Sequence, residues 1–366
     1  MDRIRLAIIG CGDVAYRHYL PAFAELADEV QVTALVDPRD GAAERAAEAV
    51  AGWSPRARAF IDLEAMLGSG LADAAIDLTP APRHGAVNRA SLDAGLHVFS
   101  EKPLASTLED ADRLIETARR VGRQLLCAPG TAATERFRWL GGVVASGHLG
   151  RLTLATAHHA DTGPATWREY TGDPTPFYAA GVGPVFDHGV YRLHGLTALL
   201  GPVRRVQAMG TISSPTRLVR AGPMAGRAIP VTTPDHVLMN LEFVNGALGH
   251  LFTSFAAPAS RAPWMELQFE RGTISLGGES SDKDAPVSVY LDDESPAGIE
   301  GWISDVRPPA DRYATVETGA RHFVAVLRGE TAPILTAEHA RHVLDIILAA
   351  YASIEDGRAH ETATSF

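Results

Sequence analysis

The sequence predicts an α/β chain: a doubly wound parallel sheet first, then an α+β domain with a mainly antiparallel sheet. Three observations predict it. Short apolar runs alternate with helical stretches from Ile4 to Ala128. A glycine pattern, Gly10-x-Gly12-x-x-Ala15, joins the first of those runs to the helix after it. Beyond Pro129-Gly130 the alternation stops and longer strand-like runs follow, two of them separated by Asn245-Gly246. Strands alternating with helices build parallel sheets, whereas Asn-Gly between two apolar runs marks a hairpin.

Ile4–Ile9 reads as a buried strand. Gly10-Cys11-Gly12-Asp13-Val14-Ala15 then opens a helical stretch through about Leu26, which Pro21 should interrupt. Gln31–Val36 is the second strand and ends in Asp37; an Ala/Glu-rich helix over about Ala42–Val50 comes next. A strand at Ala74–Leu78 is closed by Thr79-Pro80, and a helix over His84–Asp93 stops at Gly95. Strand His97–Ser100 leads into Glu101-Lys102-Pro103. The next helix takes Thr107 as its N-cap and stops at Gly122, before strand Gln124–Ala128.

In the second half Glu135–Ser146 reads as a helix. Strands are expected at Leu152–His159, Val203–Met209, His236–Phe243, Ala247–Phe255, Met265–Phe269 and Thr273–Leu276. Gly/Pro-rich segments interrupt them at Asp161–Pro184 and Ser213–Pro234, and the acidic Ser280–Pro309 reads as loop. Helices over about Thr315–Leu327 and Ala337–Glu355 close the chain. A chain of 366 residues is too long for one ordinary core. Two domains are expected, 1–127 and 128–366, with the last helix, about 337–355, able to pack back on the first.

Composition narrows the function classes. Hydrophobic residues make up 46% and charged residues 21%, a soluble globular profile. A net charge of −11 without any basic run argues against nucleic acid as a partner. No stretch approaches the ~18 apolar residues of a membrane span, and a strand-like run begins at Ile4, leaving no room for a signal peptide. Cys11 and Cys127 stand apart in apolar surroundings and read as reduced, structural thiols of a cytoplasmic protein. No His/Asp/Glu grouping has metal-ligand spacing along the chain, so no metal is expected.

The glycine pattern carries chemistry. Its first glycine permits a tight turn, its second lets backbone N–H groups approach a pyrophosphate, and Ala15 allows close helix–strand packing. Asp37 stands where a carboxylate binds a ribose 2′-hydroxyl and repels a 2′-phosphate. NAD is therefore expected over NADP, with Arg39 near enough to soften the preference. Of 33 Lys+Arg residues only Lys102 and Lys283 are lysines. Lys283 lies in the polar Ser281-Asp282-Lys283-Asp284, but Lys102 follows a strand at its carboxyl end, where open α/β sheets bind ligands. A compact ammonium that shifts its pKa readily differs chemically from a guanidinium.

The stretch Phe186–Leu200 reads as a helix. Asp187, Tyr191 and His194 fall on one face, and His188 lies about 100° round from Asp187. Gly181-Val182-Gly183-Pro184 upstream allows a close backbone approach. The polar face suits proton transfer to a hydroxyl; it equally suits a solvated surface, with Leu193, Leu196 and Leu200 giving the core contact. His158 and His159 end a strand and either reach a site or point to opposite faces.

These residues resemble the Gfo/Idh/MocA oxidoreductases, the relatives of glucose–fructose oxidoreductase and inositol dehydrogenase. The resemblance rests on the N-terminal Gly-Cys-Gly-Asp-Val-Ala, Thr79-Pro80 with His84, Gly95-Leu96-His97-Val98-Phe99 and Glu101-Lys102-Pro103-Leu104. It continues in Trp167-Arg168 and the segment from Gly181 through Asp187 to Tyr191. It implies a Rossmann domain followed by a domain with a large open sheet that forms oligomer contacts, giving a homodimer or homotetramer. It implies hydride transfer between a nicotinamide cofactor and a carbohydrate or polyol hydroxyl.

By the same resemblance the family's lysine corresponds to Lys102 and its aspartate to Asp187. Tyr191 replaces the family's usual histidine, as in some relatives, and His194 stands where many carry a second acid. Glu101, Trp167 and Arg168 would face the cofactor. Lys102 would polarise the reacting oxygen, Asp187 would orient the substrate, and Tyr191 would exchange the proton, with His194 or His188 as the other candidates. A phenol usually titrates near 10, so Tyr191 needs a nearby cation, for which Lys102 is the source the sequence offers. Three other readings remain open: an NAD-dependent glycosidase working through transient oxidation, an NAD- and sugar-binding sensor, and an NADPH-linked keto-sugar reductase.

Overall fold

The aliphatic runs Ile4–Ile9 (β1) and Val30–Val36 (β2) are buried along most of their length, as strands covered by helices on both faces must be. They begin a computed structural model that describes residues 2–168, 170, 172–277, 286–293 and 298–366. β3 (Arg58–Phe60), β4 (Ala74–Asp77), β5 (His97–Ser100) and β6 (Leu125–Cys127) complete a six-stranded sheet in the order β3-β2-β1-β4-β5-β6. Every pairing in it is parallel. The order reverses between β1 and β4, which makes their carboxyl ends a crevice for a ligand.

Helices α1 (Leu20–Ala24), α2 (Ala42–Val50), α3 (Leu63–Gly68), α4 (His84–Asp93) and α5 (Leu108–Val121) connect these strands. α5 ends as predicted: Thr107 accepts from the Asp110 N–H, and Gly122 takes the left-handed conformation at φ +65°. β3 and α3 were not foreseen, because elements this short carry too few residues to show a period. Pro21 does interrupt its helix. A π turn over Ala15–Tyr19 precedes α1, since Pro21 has no N–H to give and its ring crowds the carbonyl four residues back.

Beyond Thr134 come α6 (Glu135–Ser146), β7 (Leu152–Ala160), a π turn over Val185–Gly189 and α7 (Val190–Leu200). Then follow β8 (Val203–Thr211), a small hairpin of β9 (Thr216–Leu218) and β10 (Ala228–Pro230), β11 (His236–Phe243), β12 (Leu248–Ser254), β13 (Met265–Phe269) and β14 (Gly272–Leu276). Asn245 closes the β11–β12 hairpin by accepting the Ala247 N–H, with Gly246 at φ +86°. β15 (Val287–Leu291) and β16 (Gly301–Val306) lie inside the stretch expected to be loop. Both strands are half-exposed, so their flanks of Asp, Ser, Gly and Pro mask the pattern. Lys283 falls outside the described residues.

The chain closes with α8 (Thr315–Leu327), α9 (Ala337–Asp356) and β17 (His360–Glu361). The larger sheet runs β16-β15-β14-β13-β7-β12-β11-β8-β17, and only its β7–β12 pair is parallel. Among the described residues no helix is long and apolar enough to cross a membrane.

The chain divides into two compact units, but not at residue 127. One comprises Met1–Thr134 and Tyr313–Leu344; the other comprises Glu135–Arg312 and Asp345–Phe366. The return of the chain has a packing reason. Ala320, Phe323 and Val324 of α8 join the core beside β1 and β2, and Phe323 lies 5.6 Å from the Phe99 ring. A Cβ on Gly130 would come within 2.2 Å of the Thr315 carbonyl oxygen, so this approach admits only glycine.

His339 of α9 lies buried in the first unit. Burial, with His342 nearby, pushes its imidazole down to about 3. An unfolded chain takes up that proton near 6.5. Stability is thus complete above about pH 6.5 and is lost as pH falls from there toward 3, at about 1.4 kcal/mol per pH unit at most. His339→Gln is expected to remove this component. Urea unfolding at pH 7 and pH 5 should show the variant losing about 2 kcal/mol less than the wild type; equal losses would refute the assignment.

Candidate active site

In the first unit the site begins where β1 ends. Gly10 has φ +97°, and a Cβ there would lie 2.7 Å from the Leu78 carbonyl carbon. Gly12 is small for another reason. A Cβ there would meet nothing nearer than the Arg39 guanidinium at 3.9 Å, so the turn leaves open room beside its backbone. Asp37 is buried and accepts the Cys11 N–H at 2.9 Å. Arg39 donates to both of its oxygens, from Nε at 2.9 Å and Nη2 at 2.7 Å. Burial works to raise the Asp37 pKa, but the bonds from Arg39 and Cys11 outweigh it and hold the carboxyl below its ordinary range. Open room over a glycine turn beside an ionised acid fits a dinucleotide with a free ribose diol.

Cys11 and Cys127 are free and buried. Burial and the neighbouring Asp37 push the Cys11 thiol up to about 12. Burial likewise raises Cys127. Neither is a nucleophile. Asp13 and Val14 are exposed, Ala15 is buried under the turn, and Asp13 pairs with Arg17 at 2.9 Å.

A second set of bonds fixes Lys102. The Glu101 carboxylate accepts the Tyr19 hydroxyl at 2.7 Å and the Lys102 N–H at 3.0 Å, while the Glu101 N–H donates to the Asp77 carbonyl at 2.9 Å. Asp77 in turn accepts the Thr79 N–H and hydroxyl, at 3.0 and 2.6 Å. Burial raises the Asp77 carboxyl despite these bonds and despite His84. The buried His84 ring lies 2.7 Å from the Thr79 carbonyl and 2.6 Å from the Pro103 carbonyl, tying the Thr79-Pro80 loop to the loop that carries Lys102.

In the second unit the polar residues gather around His188. Its Nε2 lies 3.3 Å from Asp187 and its Nδ1 3.8 Å from Asp161. The His159 ring stacks on it at 3.8 Å and the Trp167 ring at 5.4 Å. Burial raises the Asp161 carboxyl, and His188, the Gly163 N–H and Trp167 draw it back. Sequence spacing pointed to no such cluster; β7 and the π turn bring it together.

α7 is buried on nearly every side, His194 and Arg192 included, which removes the solvated-face reading. Tyr191 is half-buried. Burial brings Arg192 down to about 9; its guanidinium lies 4.9 Å over Trp264 and its Nε donates to the His158 carbonyl. His158 and His159, adjacent on a strand, point to opposite faces, and only His159 joins the cluster. Burial and Arg192 lower the His158 imidazole. Arg168 is exposed. Sequence reasoning missed Asp161 and Tyr19. Asp161 had a signal, since His159-x-Asp161 places both residues on one side of a strand end.

Comparison with known proteins shows the same division. Residues 4–128 match the Gfo/Idh/MocA oxidoreductase family with an NAD-binding Rossmann fold, and residues 137–275 match the Gfo/Idh/MocA C-terminal domain. The chain belongs to the Gfo/Idh/MocA family. It is an oxidoreductase with that family's NAD-binding domain. A D-glucoside 3-dehydrogenase of Escherichia coli is 26% identical over 359 residues, 97% of this chain and 96% of its own. A dTDP-3,4-didehydro-2,6-dideoxy-alpha-D-glucose 3-reductase of Actinomadura kijaniata is 26% identical over 336 residues, 87% of this chain and 96% of its own. The solved aldose-aldose oxidoreductase of Caulobacter crescentus shares the fold at a TM-score of 0.77 and 20% identity, over 98% of this chain and 100% of that one.

Proposed function

We propose that this Gfo/Idh/MocA protein oxidises or reduces one carbon of a carbohydrate or cyclitol ring, and that NAD is its preferred cofactor. What carries the reading is the match of both halves of the chain to one oxidoreductase family; the sequence resemblance adds Lys102 and Asp187 as the counterparts of that family's lysine and aspartate. The Escherichia coli and Actinomadura kijaniata relatives are, by name, a dehydrogenase and a reductase acting at position 3 of a glucose-derived ring. They support a pyranose substrate here.

When bound, NAD supplies the hydride acceptor; the turn from Gly10 to Ala15 and Asp37 would hold its pyrophosphate and ribose. Arg39, Thr79, Pro80, His84, Glu101, Trp167 and Arg168 are the remaining cofactor-side candidates. Lys102 would donate to the reacting oxygen and stabilise its developing alkoxide charge. Tyr191 would take the hydroxyl proton on oxidation and return it on reduction. Asp187 would accept from a second ring hydroxyl and so fix the orientation.

Exposed apolar residues support a homodimer or homotetramer formed through the larger sheet. Met209 is 75% exposed and lies in register with exposed Leu238, which on its other side is in register with the half-buried Phe252 of β12. Contiguous apolar surface of this kind marks an interface.

Three measurements test these readings. Following reduced-cofactor absorbance over a panel of sugars, cyclitols and glycosides, Lys102→Met is expected to lower kcat by about 100-fold or more and leave NADH binding nearly unchanged. In the same assay Tyr191→Phe should lose ~100-fold or more; full activity across pH would remove the phenol from the mechanism. Asp37→Ala should weaken NADH binding by about tenfold or more in fluorescence titrations while NADPH gains relative to it; an unchanged ratio counts against the ribose role. By light scattering the wild type should be a dimer or tetramer and Met209→Glu/Leu238→Glu smaller; a monomeric wild type would rule out the interface.

A further inference from the structure

We propose that Tyr351 is a positioning residue: it fixes the segment 181–189 and, through it, the place of the Asp187 carboxylate. All of these residues lie in the second unit, Tyr351 in the part of α9 that belongs there. The role given to Asp187 rests on the oxidoreductase reading; the anchoring of the segment does not.

Regular structure does not hold the start of this segment. Gly181 has φ +79° and Gly183 φ +68°, a region that residues with a side chain rarely adopt. Pro184 follows and has no N–H to donate. The π turn Val185–Gly189, which carries Asp187, begins directly after it. Its bonding pattern is rare, and the direction of each side chain in it depends on where the turn begins. A contact from outside, made near that beginning, therefore sets where Asp187 points.

Tyr351 makes that contact twice. Its hydroxyl donates to the Val182 carbonyl, and its ring stacks on Phe186 at 6.0 Å between centroids and 17° between planes. The two contacts bracket Gly183, Pro184 and Val185, and the next residue is Asp187. The hydroxyl suits a permanent donor: burial raises it above the ordinary phenol range, so it keeps its proton at neutral pH. A phenol whose proton is committed to a backbone carbonyl is no acid or base for a substrate. Tyr351 thus acts through Asp187 and not on the reacting atoms.

The anchor is itself held. Two residues on, Ser353 Oγ accepts the Ala208 N–H of β8 at 2.8 Å and ties α9 to the larger sheet. The segment meets a second support at Gly183, where a Cβ would lie 3.0 Å from the Pro234 carbonyl oxygen and 3.1 Å from the Thr233 side chain. Pressed against one loop at Gly183 and bonded to α9 at Val182, the backbone has one place at which to begin the turn.

Tyr351→Phe tests this, since it removes the hydroxyl and keeps the ring. Hydrogen exchange on the full chain, read by mass spectrometry, should show the amides of 181–189 exchanging about threefold faster or more, with those of β12 unchanged. In the oxidoreductase assay kcat/KM should fall by about tenfold, while NADH binding stays as in the wild type. Beside Asp187→Asn the same change should cost about twofold or less, because no carboxylate is left to position. A residue that only stabilises the fold would cost as much in both backgrounds. Unchanged exchange at 181–189, equal acceleration in β12, or an undiminished fall beside Asp187→Asn each overturns the proposal. A wild type that turns over no sugar, cyclitol or glycoside refutes the oxidoreductase reading instead, and the exchange experiment still decides the anchor.

Discussion

The Glu101 carboxylate holds the first unit's strand ends together. It accepts from Tyr19, a residue of the helix after the glycine turn, and from the Lys102 backbone, while the Glu101 N–H is bound to β4. Three loops that a parallel sheet merely brings near one another become hydrogen-bonded into one frame. His84 adds a second brace between the Thr79 and Pro103 carbonyls. The ammonium of Lys102 therefore stands on a backbone fixed from several sides. Preorganisation of this kind is what lets one donor stabilise developing charge without reorganising as the reaction proceeds.

A different device appears once in each unit. The helical stretches after the glycine turn and around Asp187 contain π turns, Ala15–Tyr19 and Val185–Gly189. Such turns occur often at functional positions. A π turn rotates the residues after it relative to a regular helix, so a face counted at 3.6 residues per turn does not survive it. Asp187, Tyr191 and His194 were expected as one polar stripe. Instead Asp187 turns to His188, and His194 is buried in α7.

What the sequence shows and what it hides divide along this line. Gly10, Asp37, Thr107 and Gly122 are legible because their roles are local: a positive φ, a strand end, a cap. Lys102 stands out in the sequence because it and Lys283 are the only lysines among many arginines. The alternation of β11 and β13 is legible because one face is buried and the other is not. The packing back of the last helix is expected from the sequence, and the start of α9 does lie in the first unit; the return of α8 with it is not legible, since it depends on Gly130 meeting Thr315 across a long sequence separation. Asp161 stayed hidden for a similar reason. Its neighbour His159 was visible, but the imidazole that gives both their meaning arrives from a π turn far along the chain.

Tyr191 and His188 are not interchangeable, although the chain has a phenol where the family usually has an imidazole and an imidazole next to the aspartate. His188 has Asp187 3.3 Å from Nε2 and Asp161 3.8 Å from Nδ1, and the rings of His159 and Trp167 stack on it, so its surroundings are made by the protein's own side chains. A proton carrier must give its proton to the reacting oxygen and recover it, which requires a free hydrogen-bonding direction in the working geometry. The clamp takes that freedom from His188. It suits a group whose task is to hold a position, as a positioning residue does. This agrees with the proposed assignment of the proton to the half-buried Tyr191. For a phenol to act near neutral pH, positive charge must be supplied to its surroundings. Proton exchange through Tyr191, as proposed, thus has a cationic group in its surroundings as a condition.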